Sequence, residues 1–355
     1  MGQPDTATGE ATCSSTISVT PVLAQNSVTE VPSAAKYLRK GIFFCLISTL
    51  LYSFSNVTMR ELGVMGLENS WIIFLKEMVC ITCLTPLILF WIVRGQYARP
   101  ALKWVLCILV GGFFCQYVGA RLHLIAFEVV GLVVSIPLIQ ASTMVCSAMI
   151  GLFLLREKIS RRCLAAMLVM LVAMVCLLFG PNQGTSEPGE QVELTTTGRT
   201  VLLGGLGAVV AGLAYSVHVV CLRMAGNSRR IPITLIAVQV TGVGALIFGL
   251  EFFRDHDWQM AALWENVTPK GWGLIILTGF LNMIGFLFQI TGLRYTIVAR
   301  AQMIAVAQIV ISTIFGVLAF SETTNVMIWL GVCLTVLGIY VVSTPSQKEL
   351  SREFR

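Results

Sequence analysis

The amino-acid sequence is divided into apolar runs too long and too closely spaced for a soluble core. Ten of them, at 38–59, 70–93, 104–126, 129–154, 161–180, 200–222, 231–252, 271–293, 297–320 and 325–343, follow one another across short polar connections. An α-helix rises 1.5 Å per residue and the hydrocarbon layer is about 30 Å thick, so roughly 20 apolar residues cross it. A soluble domain carries about 25% charged residues; here the figure is 12%, against 56% hydrophobic. In lipid every backbone N–H and C=O must be satisfied within the segment, and a helix does this. The expected fold is therefore all-α, a polytopic membrane protein with ten transmembrane helices.

Residues 1–35 are polar and rich in Ser and Thr, and no cationic stretch leads into an early apolar core, so they read as a disordered cytoplasmic tail rather than a signal peptide. Five spans follow within 36–180. A Pro- and Gly-containing polar stretch, 181–199, then separates them from five more within 200–343, with a short C-terminal tail at 344–355. Lys and Arg collect on the cytoplasmic side of membrane proteins. With both termini cytoplasmic, the inner segments hold 18 of these residues and the outer ones 4, leaving Lys76 and Arg121 inside spans. The bias favours a cell (plasma or inner) membrane location with that topology. It also makes the basic loops orientation signals, with no nucleic-acid partner implied. Cys80 and Cys83 form a C-x-x-C, but on a spanning helix they read as small apolar side chains.

The two halves resemble each other. Tyr52-Ser53 with Arg60 matches Tyr215-Ser216 with Arg223 at an offset of 163, which also sets Lys76 on Gln239. Gly112-Phe113 matches Gly279-Phe280 at 167, and Glu157 matches Glu322 at 165. A near-constant offset in several places marks an internal repeat. Because five is odd, the second half enters the membrane from the opposite side. Two inverted repeats around a midplane site are a recurring plan of secondary transporters. Polar residues follow the same swap: Lys76, Glu77, Arg121 and His123 fall in the outer part of the membrane, and His218, Gln239 and Gln289 in the inner part.

The stretches VVSIPLIQASTMVCSAMIGLFLLREKIS (133–160) and MIAVAQIVISTIFGVLAFSETTNVMIWLGVCLTVLGIYVV (303–342), each an apolar run closed by an acidic residue, resemble the drug/metabolite transporter superfamily, in its ten-helix EamA-type branch. The family pattern has Gly before that Glu; here Arg156 and Ser321 stand there. The resemblance implies two EamA repeats, 36–180 and 200–343. It further implies a central cavity between them and export of small polar metabolites, such as amino acids or other carboxylates, by alternating access.

Charged residues inside a span are costly and usually have a use. Lys76 and Arg121 are candidates to hold a substrate carboxylate or phosphate. For Lys76 the plain alternatives are snorkelling to the outer edge, or pairing with Glu128 or with a Glu77 on a neighbouring helix, since adjacent helix positions point about 100° apart and a direct Lys76–Glu77 pair is not expected. For Arg121 the alternative is an ion pair with Glu77. Tyr52, Tyr215, His218, Gln239, Gln140 and Gln308 are candidate cavity-lining residues, with helix-to-helix hydrogen bonding as the alternative. Glu77 and His123 are candidates for coupling to a proton. No catalytic constellation, metal cluster or cofactor motif stands out, so an enzyme is not expected. Partners are a small-molecule substrate, membrane lipids and a proton as coupling ion, with a homodimer left open. An intramembrane enzyme acting on a lipid-linked substrate, or a non-transporting scaffold or receptor, would need features this chain does not display.

Overall fold

A computed structural model of the 355-residue chain describes residues 31–95, 100–157, 159–178, 194–227, 231–259, 261, 264, 267–320 and 326–343. The linker at 181–193, the turn carrying Glu322, most of the N-terminal tail and the C-terminal tail lie outside these residues. Every regular element described is helical: α1 (Val31–Val64), α2 (Asn69–Val93), α3 (Leu102–Phe113), a π-helical segment (Phe114–Ala120), α4 (Arg121–Phe153), α5 (Arg161–Leu178), α6 (Leu194–Asn227), α7 (Ile233–Asp255), α8 (Pro269–Tyr295), α9 (Val298–Ala305), α10 (Ala307–Phe320) and α11 (Val326–Ser343).

Local chemistry accounts for several boundaries. Ser160 accepts from the Cys163 N–H at 3.1 Å and so caps α5, as its position before the fifth apolar run predicts. Thr268 accepts from Gly271 N at 3.2 Å with Pro269 in the first turn, which opens α8. One expected boundary is missing. The sequence suggests a turn near residue 127, yet α3, the π segment and α4 form an unbroken helical run from 102 to 153. A π segment inserts one residue into a helix, and Pro137 removes an N–H inside α4. These are the two places where the register of this run is interrupted.

Seven helical stretches are long and apolar enough to cross a bilayer: Lys36–Gly63, Asn69–Val93, Leu102–His123, Ser135–Phe153, Leu203–Gly226, Ile233–Asp255 and Pro269–Tyr295. Val298–Ile311 and Trp329–Ser343 are shorter apolar helices. The outward faces of the helices carry large apolar side chains: Phe43, Leu89, Phe153, Leu168 (on α5), Leu203 and Leu246 are all exposed. Inside, Ser48, Ser53, Ser135, Ser147, Ser216 and Thr278 are almost fully buried. That inversion of the soluble pattern, with the chain's composition, describes a membrane protein whose helices meet through small residues and short hydroxyl bonds.

The closest helix pairs join one half of the chain to the other. α1 packs on α8, α2 on α7, α4 on α6 and α5 on α11, while α3 and the π segment lie against α6. Sequence neighbours such as α1 and α2 meet far less. Short bonds stitch this seam: Ser48 Oγ to the Gly285 carbonyl at 2.8 Å, and Ser216 Oγ to the Thr143 carbonyl at 3.1 Å.

Candidate functional site

The polar residues of the spans gather along the same seam. Lys76 and Glu77 sit on α2, whose Glu77 side is packed against α7. Glu77 is 2% exposed and Lys76 13%. Contrary to expectation, they do pair, with Lys76 Nζ 3.3 Å from Glu77 Oε1. The 100° divergence holds for the Cβ directions, but the four-carbon lysine stem swings back far enough to bring its ammonium to the next residue. Glu128, the other suggested partner, has a side chain outside the described residues.

Gln116, on the π segment, donates from Nε2 to the same Glu77 oxygen at 3.2 Å. Gly244 on α7 makes room for it: a Cβ there would lie 2.7 Å from Gln116 Nε2. The other Glu77 oxygen, Oε2, is buried without a hydrogen-bond partner among the described residues, as is Oε1 of Gln239 on α7. Sequence reasoning passed over Gln116, although an amide in the run GGFFCQYVGAR was a readable signal.

Two tyrosines bridge the halves. Tyr52 on α1 donates to Gln289 Oε1 on α8 at 3.2 Å. The Tyr215 hydroxyl on α6 lies 3.1 Å from His123 Nδ1 on α4, and the rings meet edge to face with centroids 5.9 Å apart. The charge of Lys76 is close enough to act on His123 and Cys115, and that of Glu77 on Tyr52, Cys80 and Cys115. These pairs therefore share one region.

The remaining candidates are placed as follows. Arg121 does not pair with Glu77: its Nη2 sits 2.5 Å from Glu251 Oε2 on α7, and its guanidinium stands 5.4 Å from the Tyr117 ring centroid. At 41% exposed it lies at the rim. His218 is buried, with Nδ1 3.2 Å from the Gly111 carbonyl and its ring stacked on Phe286. It does what the helix-to-helix alternative describes. Gln140 on α4 and Gln308 on α10 are half-buried, and neither is brought to the Glu77 group by a described hydrogen bond. Arg300, one of the 18 basic residues that the topology assigns to the inner segments, is 2% exposed near the start of α9.

A second polar cluster, also missed as a site, lies where α4 and α6 end. Glu157 Oε1 meets Arg223 Nε at 3.2 Å, and Glu157 Oε2 accepts from the Val298 N–H at 2.9 Å, at the start of α9. Arg223 also donates to the Leu293 carbonyl. Glu157 thus caps a helix N-terminus, where negative charge is favoured, while holding a cation from another helix.

Residues 202–344 match the family model of the EamA-like transporter family. The second half of the chain is thus similar to an EamA-like transporter domain, in keeping with the resemblance read from the sequence. A solved structure described only as a crystal structure of a protein is similar to this chain at 18% identity and a TM-score of 0.62. The match covers 85% of this chain and 95% of that one. At that identity it is the fold that is shared. No curated protein matches the sequence.

Proposed function

We propose that this protein is an EamA-type secondary transporter that moves small polar metabolites by alternating access, as an exporter in a cell membrane with both termini cytoplasmic. On this reading the chain forms ten spans in two inverted five-helix repeats, and the solute binds at the seam between them. Lys76, Glu77, Gln116, Gln239, Tyr52 and Tyr215 are its core.

The observation that carries the proposal is the relation between the two tyrosine bonds. Tyr52 and Tyr215 are repeat mates at an offset of 163, and their partners, His123 and Gln289, are 166 apart. Gly112 and Gly279 set an offset of 167 just before the π segment. One extra residue in the first half lowers it to 166 beyond that segment, which is where His123 stands. Each bond is thus the counterpart of the other under an exchange of halves.

Helix packing supports the same exchange. Let α1, α2, α3 with the π segment and the first turn of α4, the rest of α4, and α5 trade places with α6, α7, α8, α9–α10 and α11. The α2–α7 and α5–α11 pairs map onto themselves. The α1–α8 pair becomes the α6–α3 pair, and α4–α6 becomes the contact of α1 with α9 and α10. Two equivalent halves meeting through polar groups inside a membrane are what a rocking transporter requires.

The test is flux in proteoliposomes loaded with a mixed metabolite pool and followed by mass spectrometry. Wild-type protein is expected to release a subset of small polar solutes, and Lys76→Ala to release them at least tenfold more slowly. If empty and protein-containing vesicles retain the whole pool alike, the transport reading is wrong.

A further inference from the structure

We infer that Cys107 and Cys221 form a redox-active dithiol, and that a peroxide converts it into a disulfide tying the two halves of the chain together. The effect of that bond on flux rests on the transport reading above; the bond itself does not.

α3 and α6 pass closely where a glycine makes room. A Cβ built on Gly111 would lie 2.7 Å from Cys221 Cβ and 3.4 Å from its Sγ. His218, one turn earlier on α6, has its Nδ1 3.2 Å from the Gly111 carbonyl and holds the two helices in that register. Cys107 stands four residues before Gly111, and positions i and i+4 share a helix face. Cys107 thus faces α6 at the level of Cys221, and the two side chains are in hydrogen-bonding contact. Both thiols are unbridged and partly exposed. Each lies within about 9 Å of a helix end, counted along α3 from Leu102 and along α6 to Asn227. On the proposed topology both ends are cytoplasmic, within reach of a small uncharged oxidant. Cys80 and Cys83 offer no such link, since both stand on α2.

On the proposed exchange of halves this meeting point has a counterpart. Gly111 falls on Thr278 at the offset of 167, and Cys221 falls on Thr58 at 163. The hydroxyls of Thr58 and Thr278 lie 2.7 Å apart, where α1 meets α8. Two alcohols do not couple under peroxide, whereas two thiols do. Of these two equivalent places, only the one between α3 and α6 can therefore be closed covalently.

The chemistry balances with a peroxide as oxidant. One thiolate attacks the O–O bond; an S–O bond forms, the O–O bond breaks, and hydroxide leaves and takes up a thiol proton to become water. The second thiolate attacks the resulting sulfenic sulfur, and its hydroxide leaves as a second water with the other thiol proton. The two thiols lose two electrons and the peroxide gains them. A disulfide needs Cβ atoms about 3.5–4.5 Å apart, and the glycine that lets the helices approach favours that spacing. α3 belongs to one half and α6 to the other, so the bond restrains any motion of the halves against each other.

The test uses full-length protein in proteoliposomes loaded with the metabolite pool. Hydrogen peroxide is added, remaining thiols are blocked with N-ethylmaleimide, and non-reducing peptide mapping by mass spectrometry identifies the linked cysteines while solute release is followed in parallel. A peptide joining Cys107 to Cys221 is expected, and dithiothreitol should separate it. Release should fall at least fivefold on oxidation and recover on reduction. Cys107→Ser and Cys221→Ser should each release solute at the wild-type rate and ignore the peroxide. Absence of the linked peptide, unchanged release from linked protein, or a peroxide effect that persists in the serine variants overturns the assignment. Should one serine variant fail to fold, the other and the wild-type map decide. A linked peptide in vesicles that release nothing, oxidised or reduced, would count against the transport reading and leave the dithiol standing.

Discussion

Arg223 Nε lies 3.2 Å from Glu157 Oε1, and the second oxygen of that carboxylate holds the Val298 N–H at 2.9 Å. One side chain near the end of α4 thus fixes the end of α6 and the start of α9 together. Both side chains are only about a tenth exposed, so the pair is little screened, and either partner left alone keeps a charge in a poorly hydrated place.

Removing one partner is therefore expected to destabilise strongly, by about 3–5 kcal/mol for a buried pair broken on one side. Glu157→Gln and Arg223→Gln should each lower the melting temperature of the detergent-solubilised protein by several degrees. The charge swap Glu157→Arg with Arg223→Glu should not restore it, because an arginine cannot accept from Val298 N. Full recovery in the swap would mean that the ion pair alone matters and that the cap contributes nothing.

The tyrosine bonds give a second expectation. Interhelical hydrogen bonds in membranes average about 0.6 kcal/mol by double-mutant cycles. Tyr52→Phe and Tyr215→Phe should each cost that order of stability, and the cycles Tyr52→Phe with Gln289→Leu and Tyr215→Phe with His123→Leu should return couplings of similar size. Two couplings of similar magnitude match two equivalent bonds; a coupling in one cycle and none in the other would break the equivalence.

Much of this fold was readable because its causes are local and periodic. Apolar run length announces a helix in lipid, and Ser160 announces the start of α5. The site was less readable because its geometry turns on single residues. On the proposed repeat, the π segment shifts the register by one, so a fixed-offset comparison does not set His123 on Gln289. Lys76 reaches Glu77 by bending a flexible stem, which Cβ directions do not reveal. Arg121 finds Glu251 at a helix end 130 residues away, a partner that only the α2–α7–π packing brings near.

Arg121 leads to a prediction of a small effect. At 41% and 23% exposure its pair with Glu251 is partly solvated, and exposed pairs contribute about 0–1 kcal/mol. Arg121→Ala is expected to leave the melting temperature nearly unchanged and to keep solute release within about twofold of wild type in the proteoliposome assay. A tenfold loss of release with normal stability would place Arg121 in the solute path.

Glycine positions along the seam separate packing from propensity. A Cβ built on Gly119, in the π segment, would sit 2.7 Å from Cε1 and 3.1 Å from Cζ of Tyr215. That ring is held by its hydroxyl at His123, so it cannot move aside without giving up the bond. Gly119→Ala is expected to cost about 1–3 kcal/mol, the usual range for overpacking, and to slow solute release as the seam is pushed apart. Gly242 on α7 has nothing within 4 Å of its would-be Cβ, and there alanine should be neutral or stabilising by up to about 1 kcal/mol through helix propensity. Thermal unfolding of the two variants side by side gives the answer. Equal behaviour would mean that the approach of Gly119 to Tyr215 does not constrain the seam.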